Sequence, residues 1–70
     1  MNALEIRRLR FMAASGAARA IRERARLSLR EVADHIEVRP STIMRWERGS
    51  QRPRGERAER YLRLLDELAG

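Results

Sequence analysis

The sequence contains no cysteine and no lysine, and its aromatic residues are Phe11, Trp46 and Tyr61 alone. Without cysteine, disulfides and thiolate metal ligands are excluded. The single histidine, His35, has no ligand-type residue three or four positions on and reads as a solvated surface residue. Proline occurs only at Pro40 and Pro53, so few helices can be interrupted. No apolar run approaches the length of a membrane span, and MNALEIRRLRFMAASG scatters charges where a signal peptide needs an apolar core. A cytoplasmic protein is expected. Paired carboxylates, a nucleophile–base set and a phosphate-cradling loop are all missing, so neither an enzyme nor a cofactor, metal or small-molecule ligand is expected. With 70 residues, the chain should form one domain over 1–70. Such a domain buries only about 60% of its unfolded surface, which leaves no room for a deep cleft.

What is present is arginine. All sixteen basic residues are arginines, against ten acidic ones, for a net charge of +6 and a pI near 11.5. The bland explanation for arginine in place of lysine is the codon bias of a GC-rich genome. Whatever its origin, the balance favours a polyanionic partner, and guanidinium forks match phosphates and guanine edges bidentately. The acidic residues are interspersed, which argues against a disordered basic tail. No stretch sets bulky apolar and basic residues on opposite faces strongly enough for a membrane-surface helix.

Taken in order, Asn2 and Glu5 have the spacing of an N-cap and its reciprocal acidic partner, starting a helix over about 3–14 with a ragged apolar stripe (Leu4, Ile6, Leu9, Phe11, Met12, Ala13). Ser15-Gly16 is a plausible break and recap, although one glycine costs only about 1 kcal/mol and the helix could run through. A second helix is expected over 17–26, with Ala18, Ile21 and Ala25 on one face and Arg22 at its edge. Ser28 and Glu31 form a capping box, and Leu27 and Val32 the matching hydrophobic staple, so a third helix should begin at Leu29. Val32, Ala33 and Ile36 face inward; Arg30, Glu31, Asp34 and His35 face out. Pro40 pushes Arg39 out of the helical region and suits the first position of a new helix. The chain therefore turns at Glu37-Val38-Arg39, with Val38 pinning the turn, and a fourth helix spans 40–48 with Gly49 as its left-handed cap. After the polar loop SQRPRG, a last helix over about 56–69 carries Ala58, Tyr61, Leu62, Leu65, Leu68 and Ala69 on one broad face. Leu64 widens that face beyond what a small core needs.

The 40–48 helix is two-sided. With Ile43 at 0°, Trp46 and Glu47 fall at about 300° and 40°, while Ser41, Met44, Arg45 and Arg48 fall between about 100° and 200°. A small hydroxyl, a flexible thioether and two guanidiniums suit insertion into a major groove about 12 Å wide. Taken without its preceding helix and tight turn, such a segment would read equally well as an ordinary amphipathic helix with a basic exposed face. Glu47 beside one apolar stripe and Arg22 beside another are expected to pair as a structural ion pair.

The stretch LSLREVADHIEVRPSTIMRWERGSQRP resembles the helix-turn-helix of the Cro/CI-type (XRE-like) family of phage and bacterial repressors, with STIMRWERG and the basic loop after it especially close. With the SGAARAIRERA lead-in and the PRGERAERYLRLLDELAG tail, which look like small Cro-like regulators of actinobacteria and their phages, the resemblance covers roughly residues 15–70. It implies an all-α, compact four- to five-helix bundle of the lambda-repressor-like DNA-binding type, with the helix-turn-helix at about 29–48. It also implies a sequence-specific regulator of transcription, acting as a repressor by occupying a double-stranded DNA operator. Carried over by position, Arg39, Pro40, Ser41, Met44 and Arg45 would face bases. Arg48, Ser50, Gln51, Arg52 and Arg54 would face phosphates, with the outward Arg30 added to them, and Arg22 and Glu47 match the family's buried arginine–glutamate pair. Three positions depart from the family's pattern. Leu29 stands where glutamine is usual, and Glu37 and Arg26 stand where glycine is usual; a left-handed glutamate costs about 1–2 kcal/mol.

Two other classes fit parts of the sequence. An antitoxin-like protein-interaction module, binding DNA secondarily, would use the last helix's broad face with Leu64. A nonspecific architectural DNA binder would use charge alone. A homodimer, through the last helix or through pairing on DNA, is the expectation for assembly.

Overall fold

Five α-helices and no strand make up the computed structural model, which describes residues 1–70: α1 (Ala3–Ser15), α2 (Ala17–Arg24), α3 (Leu29–Ile36), α4 (Pro40–Arg48) and α5 (Gly55–Ala69). The all-α expectation holds. No helix is long and apolar enough to cross a membrane.

Side chains that satisfy free backbone amides set the starts of α1 and α3. At α1, the Glu5 amide donates to Asn2 Oδ1 at 2.8 Å and the Asn2 amide donates to Glu5 Oε1 at 3.0 Å. At α3, the Glu31 amide donates to Ser28 Oγ at 3.0 Å and the Ser28 amide to Glu31 Oε1 at 2.9 Å. Each box satisfies two otherwise orphaned donors. The chain does break at Gly16, whose φ of 93° lies in the left-handed region. The Ala17 amide there donates to Ser15 Oγ at 3.3 Å.

Three boundaries differ from expectation. α1 runs one residue further, to Ser15. α2 stops at Arg24 instead of continuing to Arg26, because Arg26 itself is left-handed at φ 59° and turns the chain. α5 is assigned from Gly55, but Gly55 has φ 72°, so helical dihedrals begin at Glu56.

All five helices contribute to one core cluster of 13 residues, with Tyr61, Leu9, Ile36, Ile43 and Leu65 its largest fully enclosed side chains. Leu64, expected to extend the apolar face of α5 beyond what a small core needs, is 7% exposed and belongs to this core. Ala69, expected on the buried face of α5, is exposed at the helix end. α1 explains its own ragged stripe: Leu9 and Ala13 are buried, Ile6 and Met12 pack at the margin, and Leu4 and Phe11 point to solvent at 75% and 71% exposure. Arg8 ties α1 to α5 through two 3.0 Å bonds to the Asp66 carboxylate.

Trp46 and Tyr61 stack at the centre, ring centroids 4.9 Å apart and tilted by 36°. The Trp46 Nε1 and Tyr61 hydroxyl are buried with no hydrogen-bond partner in the protein. Burial pushes the Tyr61 hydroxyl well above its ordinary value of 10.0; the nearby Glu47 carboxylate adds to this and Arg22 partly offsets it. A group whose folded-state pKa is raised contributes stability that is complete below the unfolded value and is lost as pH climbs toward the folded one. Tyr61 is the chain's sole tyrosine. Its phenolate absorbance should therefore stay absent above pH 10.0 while the chain is folded, and should appear together with loss of helical circular dichroism. An ordinary titration at pH 10.0 with helices intact would refute the enclosure of this hydroxyl.

Candidate nucleic-acid interface

α3 and α4 are joined by Glu37, Val38 and Arg39. Glu37 takes φ 62° and ψ 47°, the conformation for which glycine is usual, and the Val38 amide donates back to the Ala33 carbonyl at 2.9 Å. The end of α2 repeats the arrangement: Arg26 is left-handed and the Leu27 amide donates to the Arg22 carbonyl at 3.1 Å. At the end of α4, Gly49 has φ 73° and the Ser50 amide donates to the Arg45 carbonyl at 3.0 Å. All three are Schellman closures, in which a left-handed residue returns the chain to satisfy the last carbonyls. Two of them are made without glycine, so the departures at Arg26 and Glu37 leave the turn geometry intact at a cost in strain. Arg60 on α5 adds a bond from its Nε to the Ile36 carbonyl at 3.0 Å, holding the end of α3.

The roll of α4 is set by a largely buried guanidinium. Arg22 Nε donates to Glu47 Oε2 at 2.7 Å, Nη2 to Glu47 Oε1 at 3.0 Å, and Nη1 to the Leu27 carbonyl at 2.9 Å. One side chain thus joins α2, α4 and the residue that leads into α3. The two side chains are 12% and 6% exposed, so the pair is shielded from water. Its bidentate geometry and third bond offset the desolvation that such enclosure costs. The Glu47 hydrogen bond, with a lesser contribution from its charge, raises the Arg22 pKa further and keeps it charged.

With α4 held this way, Ile43 and Trp46 enter the core and the opposite face is open. Arg39, Arg45 and Arg48 are exposed; Pro40, Ser41 and Met44 are half-buried on the same helix. Arg30, Ser50, Gln51, Arg52 and Arg54 are exposed on α3 and on the segment after α4. The Ser50 hydroxyl donates to the Arg45 carbonyl at 3.3 Å, so it also serves to close α4. Leu29, where the family usually has glutamine, is half-buried and packs against the core. His35 is exposed, as expected of a solvated residue.

The charges are sorted. Arg8, Arg19, Arg22, Arg60 and Arg63 each reach a carboxylate. No arginine from Arg24 to Arg57 has one within 4.0 Å, and seven of these nine, Arg30 to Arg57, lie on the α3–α4 and 49–57 segments. Guanidiniums without protein counterions are free to engage an external anion. Two residues of this surface escaped the sequence reading. Thr42 and Arg57 line a concavity of about 560 Å³ together with Arg52 and Arg54. The three-residue step from Arg54 to Arg57 was the available signal, but only the approach of α5 to α4 gives it meaning.

A family profile described as helix-turn-helix matches residues 19–68. It takes in α3, α4 and nearly all of α2 and α5, and leaves α1 outside. No match is found among curated proteins or among solved structures.

Two stability predictions follow from this geometry. Glu47→Ala leaves the Arg22 charge enclosed and unpaired and should cost about 3–5 kcal/mol, a large share of the stability of so small a domain. Arg45→Ala removes an exposed, unpaired side chain and should stay within about 0.5 kcal/mol of the parent. Equal Tm values for the two variants would contradict the shielded pair. Glu37→Gly exchanges about 1–2 kcal/mol of left-handed strain for about 0.5–1 kcal/mol of added backbone entropy in the unfolded chain, so urea denaturation should show a small net gain. A net loss would mean that the Glu37 side chain supplies a stabilising contact.

Proposed function

The chain belongs to the helix-turn-helix family of XRE (Cro/CI) type, DNA-binding regulators of transcription, and from that footing we propose that it is a Cro-like repressor that acts by occupying a specific operator. The observation that carries this reading is the outer face of α4, where Ser41, Met44, Arg45 and Arg48 stand opposite Ile43 and Trp46 and no carboxylate neutralises the arginines. In this reading α4 lies in the major groove. Arg39, Pro40, Ser41, Met44 and Arg45 face base edges, Arg45 being the side chain for bidentate readout of a guanine and Met44 or Ser41 packing against neighbours such as a thymine methyl. Arg30, Arg48, Ser50, Gln51, Arg52 and Arg54 hold phosphates and set register, with counterion release supplying much of the affinity. Repression follows from excluding polymerase or a competing regulator from the occupied site.

The reading of the chain as an antitoxin-like interaction module drew on a wide apolar face of α5. Leu64 is spent in the core, which weakens that reading and moves the proposed homodimer away from α5 toward pairing on DNA. A dimer of this kind reads two half-sites about one helical turn apart.

Selection of binding sites from random double-stranded DNA at physiological salt should return one motif, palindromic if the protein pairs on DNA. Arg45→Ala should lose about 1–3 kcal/mol of discrimination at one base pair. A ratio of specific to nonspecific affinity near one would replace this reading with that of an architectural binder.

A further inference from the structure

α1 lies outside the matched family region but is held by contacts to residues within it. Its second half docks on the segment that follows α4. Arg10 Nε donates to the Pro53 carbonyl at 3.2 Å. Ala14 packs against Gly49, where an added Cβ would lie 3.6 Å from Ala14 Cβ, an ordinary van der Waals contact. Beside this contact is a groove of about 460 Å³ whose charged wall residues are Arg7, Arg10 and Arg52, with Phe11 and Gln51 among the others. Arg7, Arg10 and Phe11 share a stripe of α1, spaced by three and four residues. No carboxylate lines the groove, whereas each of the four other principal cavities has at least one. None of the three arginines has an ionic partner, although Arg8, next along α1, is held by Asp66.

We infer that this groove is a phosphate-binding extension of the DNA interface, by which α1 reaches backbone beyond the stretch that α4 covers. The inference rests on the DNA-binding reading of α4 and extends it to residues outside the helix-turn-helix. Three like charges around one concavity repel each other in the free protein, and an anion placed among them gains from all three. Gln51 and Arg52 belong both to this groove and to the phosphate-facing segment after α4, so a backbone tracked along α4 continues into it. Arg10 is oriented by the Pro53 carbonyl, Arg7 is exposed and free, and the Phe11 ring, 71% exposed, offers an apolar surface to the neighbouring deoxyribose. A second copy of the chain does not fit here: symmetric pairing would set these arginines against their own counterparts.

The test compares the 70-residue chain with its Arg7→Gln and Arg63→Gln variants, the latter removing the same charge outside the groove. The Arg7 side chain makes no hydrogen bond or ion pair, so its variant should keep the parent's melting curve. Affinity for the selected operator is measured as a function of salt. Arg7→Gln should lower the slope of log affinity against log salt by about 0.9, so that a fourfold rise in salt costs the parent about threefold more affinity than the variant. Base preference should be unchanged and the footprint shortened at one edge, while Arg63→Gln keeps the parental slope and footprint. If the parent binds its operator and Arg7→Gln keeps the parental slope, or only matches Arg63→Gln, the groove is not a phosphate site and the α4 reading stands. If the parent binds no DNA at all, both fall.

Discussion

The guanidinium of Arg22 is the constraint on which the functional geometry depends. Burial of apolar surface drives these helices together, but it is non-directional and would tolerate α4 rolled by a fraction of a turn. A planar fork that must meet both oxygens of Glu47 and the Leu27 carbonyl at once tolerates far less. The roll of α4 decides which side chains face outward, so an interaction wholly inside the protein specifies the surface outside it. The other ion pairs are mostly exposed and contribute little to stability. Tyr61 and Trp46 pack beside this centre with unpartnered polar atoms, a local cost that the stacked rings and the enclosed core offset.

The turns show a different balance. Short helices joined by short connections need the chain to turn within two or three residues, and the left-handed conformation supplies that turn. Glycine adopts it freely at Gly49, while Arg26 and Glu37 adopt it under strain. What holds the strained ones is visible on either side. The returning amides of Leu27 and Val38 close onto carbonyls of the preceding helix, and both side chains then pack at the edge of the core. Buried apolar surface and satisfied carbonyls together outweigh a strain of about 1–2 kcal/mol per site.

Charge is divided by location more than by amount. Arg19 and Arg22 on α2 and Arg60 and Arg63 on α5 have carboxylate partners; the arginines of α3, α4 and the segment after α4 have none. A net charge of +6 alone would favour any polyanion. Concentrating the unpaired part of it beside a helix with a polar, flexible outer face is what suits a DNA groove. α1 shares in this division, with Arg8 committed to Asp66 on one side and Arg7 and Arg10 left without a carboxylate on the other.

Much of this was legible in the residues because the signals are local. A capping box needs only two side chains three positions apart, a proline constrains its own neighbour, and helical periodicity places Ile43 opposite Arg45. Those rules were enough for the start of α3, the turn before Pro40, the two faces of α4 and the encounter of Arg22 with Glu47. Where the reading missed, distance along the chain was the reason. Leu64 looked surplus on α5 because nothing local shows that the other helices cover it. The exposure of Leu4 and Phe11 could not be told from the burial of Leu9 and Ala13 until α1 had a partner surface. The left-handed Arg26 shortened α2 because returning Leu27 to the core takes precedence over one more helical turn. The sequence by itself determined that this is a basic helical bundle with a two-sided fourth helix. Only the tertiary structure decided that α1 closes on Gly49 and Pro53 and brings Arg7 and Arg10 beside Arg52, since contacts forty residues apart in the chain arise from packing and leave no local pattern.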